Sequence, residues 1–196
     1  MHISDRSAEH PDTCNPVIVA IVGAECSGKS SLAEALGGYY GIPWLHEYAR
    51  DYLTMRTADT PYDTEDLRRI GKEQWASEVR FLGQIRQADC KLAILDTDLL
   101  VIDVWWQLKY RQMNAWVQKQ LQQQPPRYYL LTRPDIPWVA DPLREAPEGR
   151  EDIHRTYRRV LTMRNLNFAE ISGSPEERLE LATASIQAWQ SNEHSR

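Results

Sequence analysis

From Gly23 to Ser30 the chain reads GAECSGKS, set between an apolar run and a run of helix-favouring residues. Few local patterns restrict a fold so tightly. The spacing is G-x-x-x-x-G-K-[ST], a loop whose backbone N–H groups converge on one anion. Glycine permits the curl and lets oxygens approach the backbone. A helix beginning at Lys29 aims its positive end at the same point. In this arrangement Lys29 reaches the β and γ oxygens of a nucleoside triphosphate, and Ser30 is placed to ligate Mg²⁺. Ala24, Glu25, Cys26 and Ser27 fill the loop and Ser31 follows it. At ordinary glycine usage a chance match in a chain this long is on the order of one per cent. The strand before it and the helix after it make chance a poorer account still.

The flanking pattern extends along the chain. Residues 17–22 (VIVAIV) form a continuous, largely β-branched run that suits a strand covered on both faces. Residues 29–36 favour helix, and Gly37 and Gly38 are expected to stop it. Residues 42–47, 91–96, 127–132 and 167–172 are the other predicted strands. Helices are predicted over 48–56, 99–112, 114–124, 152–165 and 176–190. A further long helix starts at a cap on Asp63 or Thr64, and Leu67, Ile70, Trp75, Val79, Leu82 and Ile85 recur on it at helical spacing. Strands alternating with helices indicate an α/β fold with a five-stranded parallel sheet. One domain over 16–191, behind a loose tail over 1–15, is expected.

Composition narrows the partners. Lys and Arg total 23 against 28 Asp and Glu, a net charge of −5, which disfavours a protein that coats nucleic acid. The three cysteines form no C-x-x-C pair, and the five histidines show no metal-ligand spacing. The first residues, MHISDRSAEHPDTCNP, lack the apolar core of a secretory signal. No apolar run approaches the ~20 residues needed to cross a bilayer. A cytoplasmic protein with a small-molecule substrate, without membrane or nucleic-acid partners, is expected.

Ligands of parallel sheets collect beyond the carboxyl ends of the strands, and acidic residues fall there. Asp96 ends the run AILD and is suited to hold Mg²⁺ through its hydration shell. Asp98 is suited either to the substrate or to capping the next helix. Glu47 ends the run IPWLHE, where it can take the proton of an attacking hydroxyl or orient it; an ion-paired surface role is the alternative. Arg50, one turn on, can face a phosphate or the substrate. His46 is read as structural. The aromatic stripe Trp105, Trp106, Tyr110 and Trp116 is read as core rather than binding surface.

The stretch RPDIPWVADPLREAPEGRE is too long and irregular for a turn, and loops of that length are usually functional or disordered. It reads as a lid over about 133–150. Its arginines, Arg133, Arg144 and Arg150, are suited to the charge of a moving phosphoryl group, with a solvated surface role as the alternative for any one of them. Closure would exclude water. Trp138 offers a face to a flat heteroaromatic ring, and Asp141 a carboxylate to a ribose hydroxyl.

In chain order, GAECSGKSSLAEAL, HEYAR, ILDTDLLV, RPDIPWVADPLRE and ISGSPEERL resemble the ribosylnicotinamide kinase domain of NadR-type proteins, P-loop ATPases, over roughly residues 17–180. The resemblance implies a three-layer, nucleoside-kinase-like P-loop fold with a lid. It implies ATP-dependent phosphorylation of the 5′-hydroxyl of nicotinamide riboside to nicotinamide mononucleotide, with Mg²⁺. By the same resemblance, Gly23 to Ser30 form the ATP cradle, Glu47 and Arg50 belong to the acceptor site, and Asp96 and Asp98 to the metal and substrate side. Gly173, Ser174 and Pro175 lie near adenine. Two departures stand out. There is no H-x-G-H signature of a nucleotidyltransferase, and the stretch before the first strand is too short for the extra domains of larger members. Cys26 replaces a smaller hydroxyl residue. A kinase for another nucleoside or nucleotide, or a non-catalytic ATP-dependent regulatory or binding module, are the alternatives; arginines on a lid favour transfer.

Overall fold

The computed structural model describes residues 15–55, 63–138 and 149–193. The opening apolar run forms β1 (Val17–Gly23), whose residues from Ile18 to Val22 are all buried. Continuous hydrophobicity without alternation marks a strand covered on both faces, and β1 is the centre of the sheet. Its neighbours are β3 (Leu92–Asp96) and β4 (Tyr128–Thr132), with the two-residue β2 (Trp44–Leu45) and β5 (Phe168–Ile171) at the edges. All pairings are parallel, in the order β2-β3-β1-β4-β5. The predicted five-strand parallel sheet is therefore the observed one.

The helices lie on both faces. β1 sends Val19 and Ile21 into one core with Leu32 and Leu36 of α1 (Lys29–Tyr40) and Ala182 and Ile186 of α7 (Pro175–Glu193). Ile18, Ala20 and Val22 meet α3 (Thr64–Gln87), α4 (Leu99–Tyr110) and α6 (Arg150–Met163) on the other face. This alternation follows from the period of two along a strand. α2 (Tyr48–Thr54) and α5 (Ala115–Gln123) flank α3 and α4 through a third cluster around Leu67, Ile70, Ile102 and Trp106.

Three local expectations change. Gly37 and Gly38 do not end α1, which continues to Tyr40 and stops at Gly41, φ 65°. Gly37 instead lets the Trp44 ring approach: a Cβ there would lie 2.5 Å from the ring. The second predicted strand shrinks to Trp44–Leu45. On α3, Val79 is 53% exposed, and the buried face runs through Gln74 and Glu78. Both polar groups are buried because partners await them. Gln74 Oε1 accepts from the Tyr48 N–H (2.8 Å), and Glu78 pairs with Arg127 (2.9 Å). Asp63 caps α3 in a capping box with Asp66, as one of the two predicted caps.

Candidate active site

The central strand turns directly into the loop Gly23–Ser30. Gly23 has φ 150°, and a Cβ there would collide with the Thr132 hydroxyl. Thr132 Oγ1 bonds Ser27 Oγ (2.6 Å) and donates to Val22 O (3.2 Å), closing the loop against β4. Lys29 Nζ donates to the carbonyls of Gly23 (3.2 Å) and Ala24 (2.9 Å). The loop thus bends around its own lysine.

Strand order makes the cleft. The chain leaves β1 for the β2–β3 side of the sheet and later returns on the β4 side, so the ends of β1 and β3 open at a topological switch point. A cleft of about 550 Å³ lies there. One end is the loop from Glu25 to Ser31, with Asp96 and Glu47; the other is walled by α2, α3 and α4. Register places Asp96 opposite Ile21, two residues before the loop.

Asp96 is 2% exposed, and its Oδ1 has no hydrogen-bond partner. An orphaned buried carboxylate oxygen beside a phosphate cradle is a site for a hydrated divalent cation. Among the described residues no group of three His, Cys, Asp or Glu surrounds a metal position. The residues fit Mg²⁺, which usually takes only one or two protein ligands and completes its shell with phosphates and water. Those ligands would be Asp96 and Ser30. Glu47 is half-buried at the start of α2. Burial pushes its carboxyl above the ordinary range; Lys29 and Arg50 oppose this, and Asp96 and Glu25 add to it.

Arg50 and His46 are exposed at the cleft edge, where the His46 ring lies 5.0 Å from that of Trp44. The opposite wall contains Leu53, Leu67, Ile70, Val101, Ile102 and Trp105. Trp105 packs against two of the cores, in keeping with the reading of the aromatic stripe as core, and also lines the cleft, while its neighbour Trp106 is buried. Sequence reasoning missed this wall because an apolar helical face looks the same whether it meets protein or ligand.

Asp98 is not on the cleft. Its Oδ1 accepts from the Leu100 N–H (2.9 Å), which caps α4, and its Oδ2 accepts from Tyr129 Oη (2.9 Å) and Arg127 Nη1 (3.1 Å). It is 0% exposed, and the expected substrate role gives way to the capping alternative. Burial raises the Glu78 carboxyl, which the adjoining Arg127 opposes; the Arg127 guanidinium, between two carboxylates, is held firmly charged.

Arg144 and Asp141 lie outside the described residues, as does the stretch 139–148 of the expected lid. Arg150 opens α6 and donates to Cys26 O (3.2 Å) and Ile136 O (3.1 Å), with Trp138 5.7 Å away beneath its guanidinium. Neither Arg150 nor Trp138 is on the cleft wall. Arg133 is exposed, and its backbone N–H and carbonyl join the site's frame. The turn Gly173–Pro175 is held by Asp135, which accepts from the Gly173 N–H (2.8 Å), and by Arg178, which donates to Gly173 O (2.8 Å). Arg178 is 5% exposed and also bonds the carbonyls of Ser27 and Arg133. It escaped the sequence reading. The available signal is an arginine four and eight residues before Ala182 and Ile186, on the apolar face of α7.

Fold and site together define a P-loop protein, with a phosphate cradle and an apolar wall in one cleft. The chain belongs to the AAA domain family AAA_28, whose model matches residues 18–178. It is 25% identical over 159 residues to the Trifunctional NAD biosynthesis/regulator protein NadR of Escherichia coli K12, and equally to that of Salmonella typhimurium LT2. These alignments cover 78% of this chain but 37% of the relatives, so it matches little more than a third of their length. Two solved structures share the fold. NadR in complex with NR superposes with TM-score 0.71 at 19% identity, over 89% of this chain and 51% of that one. NadR in complex with NAD and AMP-PNP gives 0.69 at 21%, over 82% and 45%.

Proposed function

We propose that the protein is an ATP-dependent kinase that phosphorylates the 5′-hydroxyl of nicotinamide riboside, giving nicotinamide mononucleotide. The observation that carries this reading is the continuity of the cleft. The loop from Glu25 to Ser31, the orphaned Asp96 and Glu47 form one end, and an apolar chamber with Trp105 forms the other. NadR structures hold NR and an ATP analogue, which supports the choice of acceptor. A flat, charged base suits an apolar wall with an indole in it.

Lys29 leaves the Gly23 and Ala24 carbonyls to meet the β and γ phosphates. Mg²⁺, held by Ser30 and Asp96, would neutralise phosphate charge. Glu47 orients the hydroxyl. As the oxygen bonds to the γ phosphorus, the bond to the ADP leaving group breaks, and the hydroxyl proton passes to Glu47. Such transfer is loose and needs positioning more than early deprotonation. A carboxyl kept above its ordinary range is a better late proton acceptor.

The test is ADP release across a panel of nucleosides, with the product identified by mass. Turnover that requires nicotinamide riboside and yields its monophosphate is expected. Faster turnover with another nucleoside would reassign the acceptor, and slow acceptor-independent hydrolysis would make the protein a nucleotide-dependent binding module.

A further inference from the structure

Two arginines from distant parts of the chain hold the outer side of the phosphate loop. Arg150 Nη1 donates to Cys26 O (3.2 Å), and Arg178 Nη1 donates to Ser27 O (2.8 Å). These carbonyls belong to consecutive peptides. In a trans peptide the C=O and the N–H of the next residue point in opposite directions, and no cis peptide occurs among the described residues. Drawing the Cys26 carbonyl outward turns the Ser27 N–H the other way. Drawing the Ser27 carbonyl outward does the same for the Gly28 N–H. Ser27 and Gly28 both line the cleft. Cys26 has φ 52°, a left-handed conformation that a residue with a side chain adopts at a cost. An unbraced loop would relax from it.

The geometry points to Arg178 as a positioning residue for the nucleotide: it presets the Gly28 amide toward the phosphates, while Arg150 presets the Ser27 amide. This rests on the reading that Gly23–Ser31 binds ATP. Arg178 suits the task because its other bonds anchor it in three directions. Nε donates to Gly173 O (2.8 Å), Nη2 to Arg133 O (3.0 Å), and the guanidinium pairs with Asp135. Arg150 likewise bonds Ile136 O (3.1 Å). The segment Arg133–Ile136, which follows β4, and the loop therefore share the same two cations. Their amides are ordered before the nucleotide arrives, which lowers the entropy lost on binding. A cation packed only to fill space would need none of these carbonyls.

The experiment measures binding of ATP and of inorganic pyrophosphate, a probe of the cradle alone, by calorimetry on the parent, Arg178→Met and Arg178→Lys, beside their melting curves. Arg178→Met should weaken both ligands about tenfold, as loss of a charged hydrogen bond does. KM for ATP should rise by more than kcat falls. Arg178→Lys, which keeps one charged donor, should recover part of the loss. Parent-like affinity for pyrophosphate in either folded variant, with only the melting temperature lowered, overturns the inference. If the Met variant does not fold, the Lys variant decides alone: parent-like affinity refutes the brace, and weakened affinity supports it. A parent protein that binds neither ligand defeats the nucleotide reading first, and the inference with it.

Discussion

Asp96 and Asp98 stand two residues apart, yet they belong to two different polar regions. Asp96 faces the cleft with one oxygen unpartnered. Asp98 lies in a closed cluster with Arg127, Glu78 and Tyr129, both of its oxygens bonded. Residues i and i+2 of an extended strand share a face. Thr97 prevents that with φ 73°, its N–H on Ile21 O (3.1 Å) and its carbonyl accepting from Gln74 (3.4 Å). A β-branched residue in that conformation is strained, and such strain gathers at functional sites. The lesson is one of satisfaction and position. Asp98, with both oxygens bonded, holds the frame, and Asp96 has an open oxygen at the cleft; Glu78 Oε2 is unpartnered too, but it lies away from the cleft, so position as well as satisfaction separates the two regions.

The largest expected effect tests the open region. Glu47→Gln keeps the shape and removes the proton acceptor, so kcat should fall by ~10²–10⁴. ATP affinity by titration should barely change. A variant that keeps its rate but loses ATP or Mg²⁺ affinity would move Glu47 into the metal shell.

Arg127→Met tests the closed region. It strands Glu78 and Asp98, whose ion pairs with Arg127 have side chains at most 1% exposed. Breaking such a pair costs about 3–5 kcal/mol, which urea unfolding should show. Turnover per folded molecule should stay within a few fold. Lost turnover in a variant of parent-like stability would give the cluster a chemical role.

The paired variants Asp96→Asn and Asp98→Asn set the two regions side by side. Asp98→Asn keeps a cap for α4 but loses the charge facing Arg127, costing roughly 1–3 kcal/mol of stability. Asp96→Asn should leave stability nearly unchanged and raise the Mg²⁺ concentration needed for half-maximal rate. If both variants shift Mg²⁺ dependence equally, the distinction between the carboxylates collapses.

The smallest effect is a pH dependence. Because burial raises the folded value for Glu47, its contribution to stability is fully present below the unfolded value of about 4.3. It is lost as pH rises through the folded value. Glu47→Gln should therefore melt slightly above the parent at neutral pH, and the gain should shrink toward pH 4. A gain that grows on acidification would reverse the assigned sign.

Patterns complete within a few residues were legible in the chain. The spacing GAECSGKS, the runs that became β1, β3, β4 and β5, and Asp96 at a strand end depend on local geometry, and each is where it was expected. The end of α1 was not, because the reason for Gly37 is a tryptophan seven residues on. On α3, Leu67, Ile70, Leu82 and Ile85 are buried as expected, but Gln74 and Glu78 were not foreseen, since they look like solvent residues until Tyr48 and Arg127 meet them.

By itself, then, the sequence determined the parallel α/β alternation and the place of the phosphate cradle, because backbone curl and strand burial are written in adjacent residues. The tertiary structure decided which polar side chains remain open to a ligand. Asp98 is closed by an arginine 29 residues away, and the cradle is braced by one 151 residues from Ser27. Trp105 joins the cleft wall only because α2, α3 and α4 leave a chamber beside it. Satisfaction of a charge or a ring depends on what packs against it, and packing brings together residues that no local pattern relates.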